Sequence, residues 1–228
     1  MLLHCSHYSN AKTQLTNALV KNNVGLWVGN AIRSNAPGRT AGRVTYPELD
    51  APLRTDSSFH QRLQPEQHNN DKRRSIIENI IPDIVGDVCL DYMHVVCIGE
   101  YKKLLNRRAF GKFDNIRFSR TNITAISNYR IGICMYIPSN FVRKTRPLEE
   151  LPRSKATELR LYLLYICPAA YRPFLSRKRF QHLMLLHVAI KILVNKDRCR
   201  EFASYADSLL RLFVKTSVEL YGFPFYFF

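Results

Sequence analysis

Apolar residues recur at helical spacing through the second half of the chain. Residues 156–165 predict one helix, ended before Pro168. Residues 180–194 are apolar nearly all round, the pattern of a helix buried on every side. Residues 198–221 carry Phe202, Tyr205, Leu209, Leu212, Phe213 and Leu220 at near-helical spacing, and Gly222 stands where a helix cap belongs. The six residues after it, Phe223-Pro224-Phe225-Tyr226-Phe227-Phe228, are aromatic apart from one proline.

The first half is patterned differently. Residues 1–40 are weakly patterned, with a turn signal at Asn35-Ala36-Pro37-Gly38 and one short helix expected over 11–20. Residues 43–75 are polar, and Pro47, Pro52 and Pro65 break any long helix. Ile76, Ile77, Ile80 and Ile81 then fall at helical spacing until Pro82. Asp87-Val88-Cys89-Leu90 is short, apolar and suited to a strand. A helical stripe follows in Val95, Ile98, Tyr101, Leu104 and Leu105. Asp91 therefore stands where a strand hands over to a helix, a junction that projects side chains from a sheet edge.

Charge adds a functional hint. Thirty-four Lys and Arg against eighteen Asp and Glu leave a formal +16 over 228 residues, a field that favours polyanions, nucleic acid above all. The basic residues gather in Lys72-Arg73-Arg74, Arg107-Arg108, Arg143-Lys144 with Arg146, and Arg177-Lys178-Arg179. A DNA track and a solvated surface are both economical readings; the excess of charge favours DNA, with Lys72, Arg73, Arg74, Arg107, Arg108, Arg177, Lys178 and Arg179 as candidate contacts. No apolar run approaches the roughly 20 residues that span a bilayer, so no membrane partner is expected. The six cysteines form no C-x-x-C pair, which favours reduced, buried thiols over a zinc site.

Five blocks, in order, resemble the transposases of the CACTA (En/Spm-like) group. They are residues 43–56, opening Arg43-Val44-Thr45-Tyr46-Pro47; residues 90–99, with Leu90-Asp91-Tyr92-Met93-His94; residues 148–158; Leu185-Leu186-His187-Val188-Ala189-Ile190; and Val218-Glu219-Leu220-Tyr221-Gly222. The resemblance covers about residues 41–222. It implies an RNase H-like fold in which three acidic residues hold two divalent metals for DNA cleavage and strand transfer. Asp91 matches the second of those acids, and His94, in D-x-x-H spacing, matches its companion histidine. Such a carboxylate can bridge two Mg²⁺ or Mn²⁺ ions that stabilise the attacking and leaving oxygens. The first acid and its accompanying C-x-x-C have no counterpart in residues 1–40, and the segment that follows Gly222 in the family does not match residues 223–228. One carboxylate alone holds Mg²⁺ poorly. The chain thus reads as an internal piece of a transposase: Asp91 and His94 are vestigial, Asp91 is the remaining metal ligand, no working cofactor is retained, and residual non-specific DNA binding persists.

The fold class expected on this basis is α+β: a partial RNase H-like core over 41–110 after a divergent lead-in over 1–40, and a mostly helical, insertion-like region over 111–228. Three bland readings compete with the catalytic ones. Asp91 also suits a helix N-cap, His94 also suits a helix-face histidine, and His182 and His187, on an apolar helix, suit satisfied core residues better than ligands. The carboxylates of Glu149, Glu150 and Glu158 are expected at helix starts from the dipole. A second functional class is a domesticated interaction module whose helical half binds a protein partner.

Overall fold

The computed structural model describes residues 55–63, 76–87, 92–112 and 115–221. Every regular element among them is helical. The expected α+β architecture with an RNase H-like sheet is therefore corrected: no strand occurs among the described residues. Of the segment read as a strand, Asp87 instead closes a short helix, and Val88, Cys89, Leu90 and Asp91 lie outside the described residues. The physical reason is plain for the rest of 76–110. Its apolar residues repeat every three to four positions rather than every two, and that period buries one helical stripe.

The first described pieces are small. Helix α1, Asp56–His60, starts on a Thr55 cap that accepts from the Ser58 N–H at 3.1 Å. A 3₁₀ turn, Ile76–Asn79, is joined to it by an ion pair from Arg62 to Glu78 at 3.1 Å. Helix α2, Ile84–Asp87, begins where the Ile84 N–H donates to the Asp56 carboxylate at 2.9 Å. These pieces leave Leu63, Ile76, Ile77 and Ile80 exposed, so they contribute little to the core.

The core begins at Tyr92. A π-helical segment, Met93–Tyr101, runs straight into helix α3, Lys102–Phe110. The Lys102 N–H reaches back to the carbonyl of Cys97, five residues earlier, which is the wide-turn bond. That wider turn changes which residues face inward. Tyr101, Leu104 and Leu105 of the expected stripe are fully buried, but Val95 and Ile98 are only partly so, and Val96 and Cys97 take the inner positions.

Helix α4, Arg120–Gly132, is capped by Ser119, whose hydroxyl accepts from the Asn122 N–H at 3.1 Å. It buries Ile126, Ser127 and Arg130 along one face and continues as a 3₁₀ turn, Ile133–Tyr136. A third 3₁₀ segment, Leu148–Arg153, docks on α4 through the Ser127 hydroxyl, which accepts from the Leu148 N–H at 2.9 Å and donates to the Glu149 carboxylate. Helix α5, Ala156–Leu161, passes through a π segment, Tyr162–Ile166, into helix α6, Cys167–Tyr171. The chain stays helical past Pro168, because a proline in the first turn of a helix sacrifices an N–H that has no partner there anyway.

Helix α7, Arg177–Leu193, and helix α8, Lys196–Tyr221, close the structure as an antiparallel pair. Asn195 turns the chain between them, its side chain accepting from the Arg198 N–H at 3.0 Å. His182, near the start of α7, stacks on Phe213 and meets Tyr221 at the far end of α8. Helix α8 is kinked at Phe202, where φ is −116° and ψ is 18°. One hydrophobic core runs from Tyr92 to Tyr221, across the 110/111 division that the sequence suggested. Each fully buried leucine in it, such as Leu104, Leu148 or Leu183, stabilises by about 1.5–3 kcal/mol. No helix among the described residues is long and apolar enough to cross a membrane.

Candidate functional site

The residues proposed for metal chemistry meet different fates. Asp91 lies outside the described residues. His94 is exposed on the π segment, its carbonyl turned towards Gly99. Among the described residues no three His, Cys, Asp or Glu side chains gather to hold a metal ion.

The basic clusters give a more connected picture. Lys72, Arg73 and Arg74 lie outside the described residues. Arg177 and Lys178 are exposed and Arg179 is half-buried in the first turn of α7. That turn holds no acidic residue, and the Ser176 side chain makes no capping bond to it. Cations there oppose the positive end of the helix dipole, and the free N–H groups beside them favour an anion. Arg172 lies one turn before, its guanidinium 5.1 Å from the Phe180 ring centre.

Arg107 and Arg108, seventy residues earlier in the chain, arrive at the same place. The Arg108 guanidinium donates to the carbonyl of Arg179 at 3.4 Å, so the end of α3 abuts the start of α7. Arg107 is half-buried, and burial lowers its pKa from the ordinary arginine value. Arg108 itself is wholly buried, so it acts as the joint between the clusters rather than as a surface contact. On the other side, the Arg108 carbonyl accepts from the Phe118 N–H at 2.6 Å. There Arg117 and Arg120, both exposed, line a groove of about 530 Å³ with Ala109, Phe118, Ser119 and Ile123. Two helix N-termini, those of α4 and α7, thus flank Arg108 with basic side chains around both. Sequence reading found the clusters at 107–108 and 177–179. It missed Arg117 and Arg120, which stand apart in the chain and join the group where the Phe118 N–H bonds back to the end of α3.

Beneath this surface lies a buried polar chain. The Tyr221 hydroxyl accepts from Arg108 and lies 3.4 Å from His182 Nδ1. His182 Nε2 is 2.9 Å from the Phe213 carbonyl, so Nε2 carries the proton and Nδ1 accepts. Burial holds the His182 pKa down to about 4, helped by the charge of Arg108 and opposed by the bond to Phe213. His187 is also lowered by burial, and its Nδ1–H donates to the Leu163 carbonyl at 2.7 Å. Both histidines are satisfied core residues. Burial pushes the Cys167 thiol up to about 12, which keeps it protonated and unreactive.

A third feature is an apolar groove of about 580 Å³ between α7 and α8, lined by Met184, Leu185, Val188, Tyr205, Leu209 and Leu212 among others. Tyr205 and Leu212 of the expected α8 stripe face this groove rather than the core.

No protein family, curated protein or solved structure matches the chain.

Proposed function

We propose that the chain is a transposase-derived polypeptide that no longer cleaves DNA and now holds nucleic acid without reading its sequence. The observation that carries the binding reading is the convergence at Arg108. Basic residues from α3, α7 and the start of α4 meet there beside two helix N-termini. A phosphate backbone offers the periodic charge that such a surface neutralises. The +16 charge supports the same reading over the whole chain. The ordered blocks between residues 43 and 222 support the ancestry, and the matched blocks contribute a single metal-binding acid, Asp91. Nothing is carried over from the sheet-based core of such enzymes, because the described residues are helical.

Fluorescence anisotropy with two unrelated labelled duplexes tests this. Both duplexes are expected to bind alike. Affinity should fall steeply with salt, each neutralised phosphate adding about 0.9 to the slope of log affinity against log salt. Arg177→Gln with Lys178→Gln should reduce that slope by about 2. Added Mg²⁺ or Mn²⁺ should leave the duplexes uncut. Salt-independent binding, strong preference for one duplex, or cleavage lost in Asp91→Ala would each refute the reading.

A further inference from the structure

Helix α8 carries two apolar stripes, and the core uses one of them. Ala206, Leu210, Phe213 and Tyr221 are buried against the rest of the molecule. Tyr205 and Leu212, on another face, are 55% and 45% exposed. With Leu209 they line the apolar groove of about 580 Å³, which Met184, Leu185 and Val188 line from α7. Large apolar side chains repeating at three and four residues on the outside of a helix pair form a seam for a further helix.

The outer face of α8 selects that helix. Glu201, Tyr205, Ser208, Leu212 and Lys215 follow at steps of four, three, four and three residues, which sets them on one side of α8. All five are exposed. Their order is acidic, apolar, small, apolar, basic, with Ser208 at the centre, and such an order is complementary to its own reverse. When two α8 helices lie antiparallel and cross at Ser208, Tyr205 meets the partner's Leu212 and Glu201 meets the partner's Lys215. Glu201 stands one residue before the kink at Phe202, so the stretch from Tyr205 to Lys215 fixes the register and Glu201 supplies the end charge. Parallel pairing in register would set Glu201 against its own copy and Lys215 against its own, like charges that oppose it. A serine at the crossing lets the two backbones come close, because the spacing of packed helices follows the side chains at their contact. Among the described residues neither Glu201 nor Lys215 makes an ion pair within the chain, whereas Asp207 and Arg211 of the same helix pair at 3.0 Å.

We propose that a second copy of this chain fills the groove: two α7–α8 hairpins associate about a two-fold axis at Ser208 as an antiparallel four-helix dimer. The same patch serves both subunits, so the contact closes on itself instead of propagating into a fibre. The inference does not rest on nucleic-acid binding. Among the described residues, Lys178 alone belongs both to the groove lining and to the basic surface.

Sedimentation equilibrium over a concentration series tests this, on the full chain treated with nuclease so that no nucleic acid bridges two copies. A monomer–dimer equilibrium is expected. Tyr205→Glu combined with Leu212→Glu should leave only monomer, since it puts charge at the centre of the contact. Glu201→Lys and Lys215→Glu should each weaken the dimer about tenfold, because each substitution acts twice across the axis. Together they exchange the two charges and should restore the dimer, a rescue that a misfolded variant cannot give. A monomer at every concentration, a dimer that survives Tyr205→Glu with Leu212→Glu, or a charge exchange without rescue would each overturn the proposal. So would a monomer that dimerises only once residues 223–228 are removed, which would give the groove to that segment.

Discussion

Buried titratable side chains set the pH response of this protein, and His182 is the clearest case. Its folded pKa is about 4, against about 6.5 for an unperturbed histidine. Above pH 6.5 it is neutral in both states and its contribution to stability is complete. Below that, the unfolded chain takes up a proton that the folded chain refuses, so stability falls as the pH drops from 6.5 towards 4. The full loss is about 3 kcal/mol. His187 acts in the same direction. Glu100 acts the other way: its raised pKa favours the folded state in acid and withdraws that support as pH rises. The difference between the unaltered chain and His182→Gln isolates the histidine. Urea unfolding from pH 7 to pH 4 should lose stability less steeply in the variant, and identical slopes would remove His182 from the account.

At the scale of elements, three glycines report how the helical segments join. A Cβ at Gly99 would meet the His94 carbonyl oxygen at 2.9 Å, so the wide turn of the π segment closes only because that position is bare. A Cβ at Gly111 would meet the Arg107 carbonyl oxygen at 2.2 Å, where the chain leaves α3. A Cβ at Gly132, the last residue of α4, meets nothing within 4 Å. Gly99→Ala and Gly111→Ala should each destabilise by about 1–3 kcal/mol, because backbone atoms must shift. Gly132→Ala should be neutral or stabilise by about 0.5–1 kcal/mol, since it only reduces the freedom of the unfolded chain. Chemical denaturation of the three variants checks the order, and a destabilised Gly132→Ala or a neutral Gly99→Ala would contradict these geometries.

For the whole molecule, the decisive fact is one core shared by segments far apart in the chain. The π segment and α3 pack with α5, α6 and α7 in a single buried cluster. Lys102 adds a tie by donating to the Pro152 carbonyl at 2.8 Å. Residues 92–110 and 156–221 should therefore open together rather than as two units, since cooperative units follow shared buried contacts. Hydrogen exchange with rising denaturant measures this. The slowest amides of α3 and α7 should share one opening free energy. A clearly lower value for α3, with α7 unchanged, would mean that the division at 110/111 is a real boundary. The α1 and Ile76–Asn79 pieces should exchange first, because neither holds a buried residue.

Much of the helical half was legible in the residues. The apolar period placed α7 and α8 to within three residues, at 180–194 and 198–221 against Arg177–Leu193 and Lys196–Tyr221, and the burial of His182 and His187 follows from the apolar run around them. The basic clusters at 107–108 and 177–179 were also legible, because charge needs no fold to be seen. Three things were decided only by tertiary structure. That no strand occurs among the described residues was visible only in the structure, since the expected sheet rested on the family resemblance and on one short apolar run rather than on a period of two. The two faces of α8 could not be separated by period alone: Phe213 and Tyr221 turn to the core while Tyr205 and Leu212 turn to the groove. And Arg108 reads in sequence as half of a surface pair, yet α3 carries it inward against Tyr221 and the start of α7. Helical phase turns one member of an adjacent pair outward and the other inward, and only the arrival of a second element settles which is which.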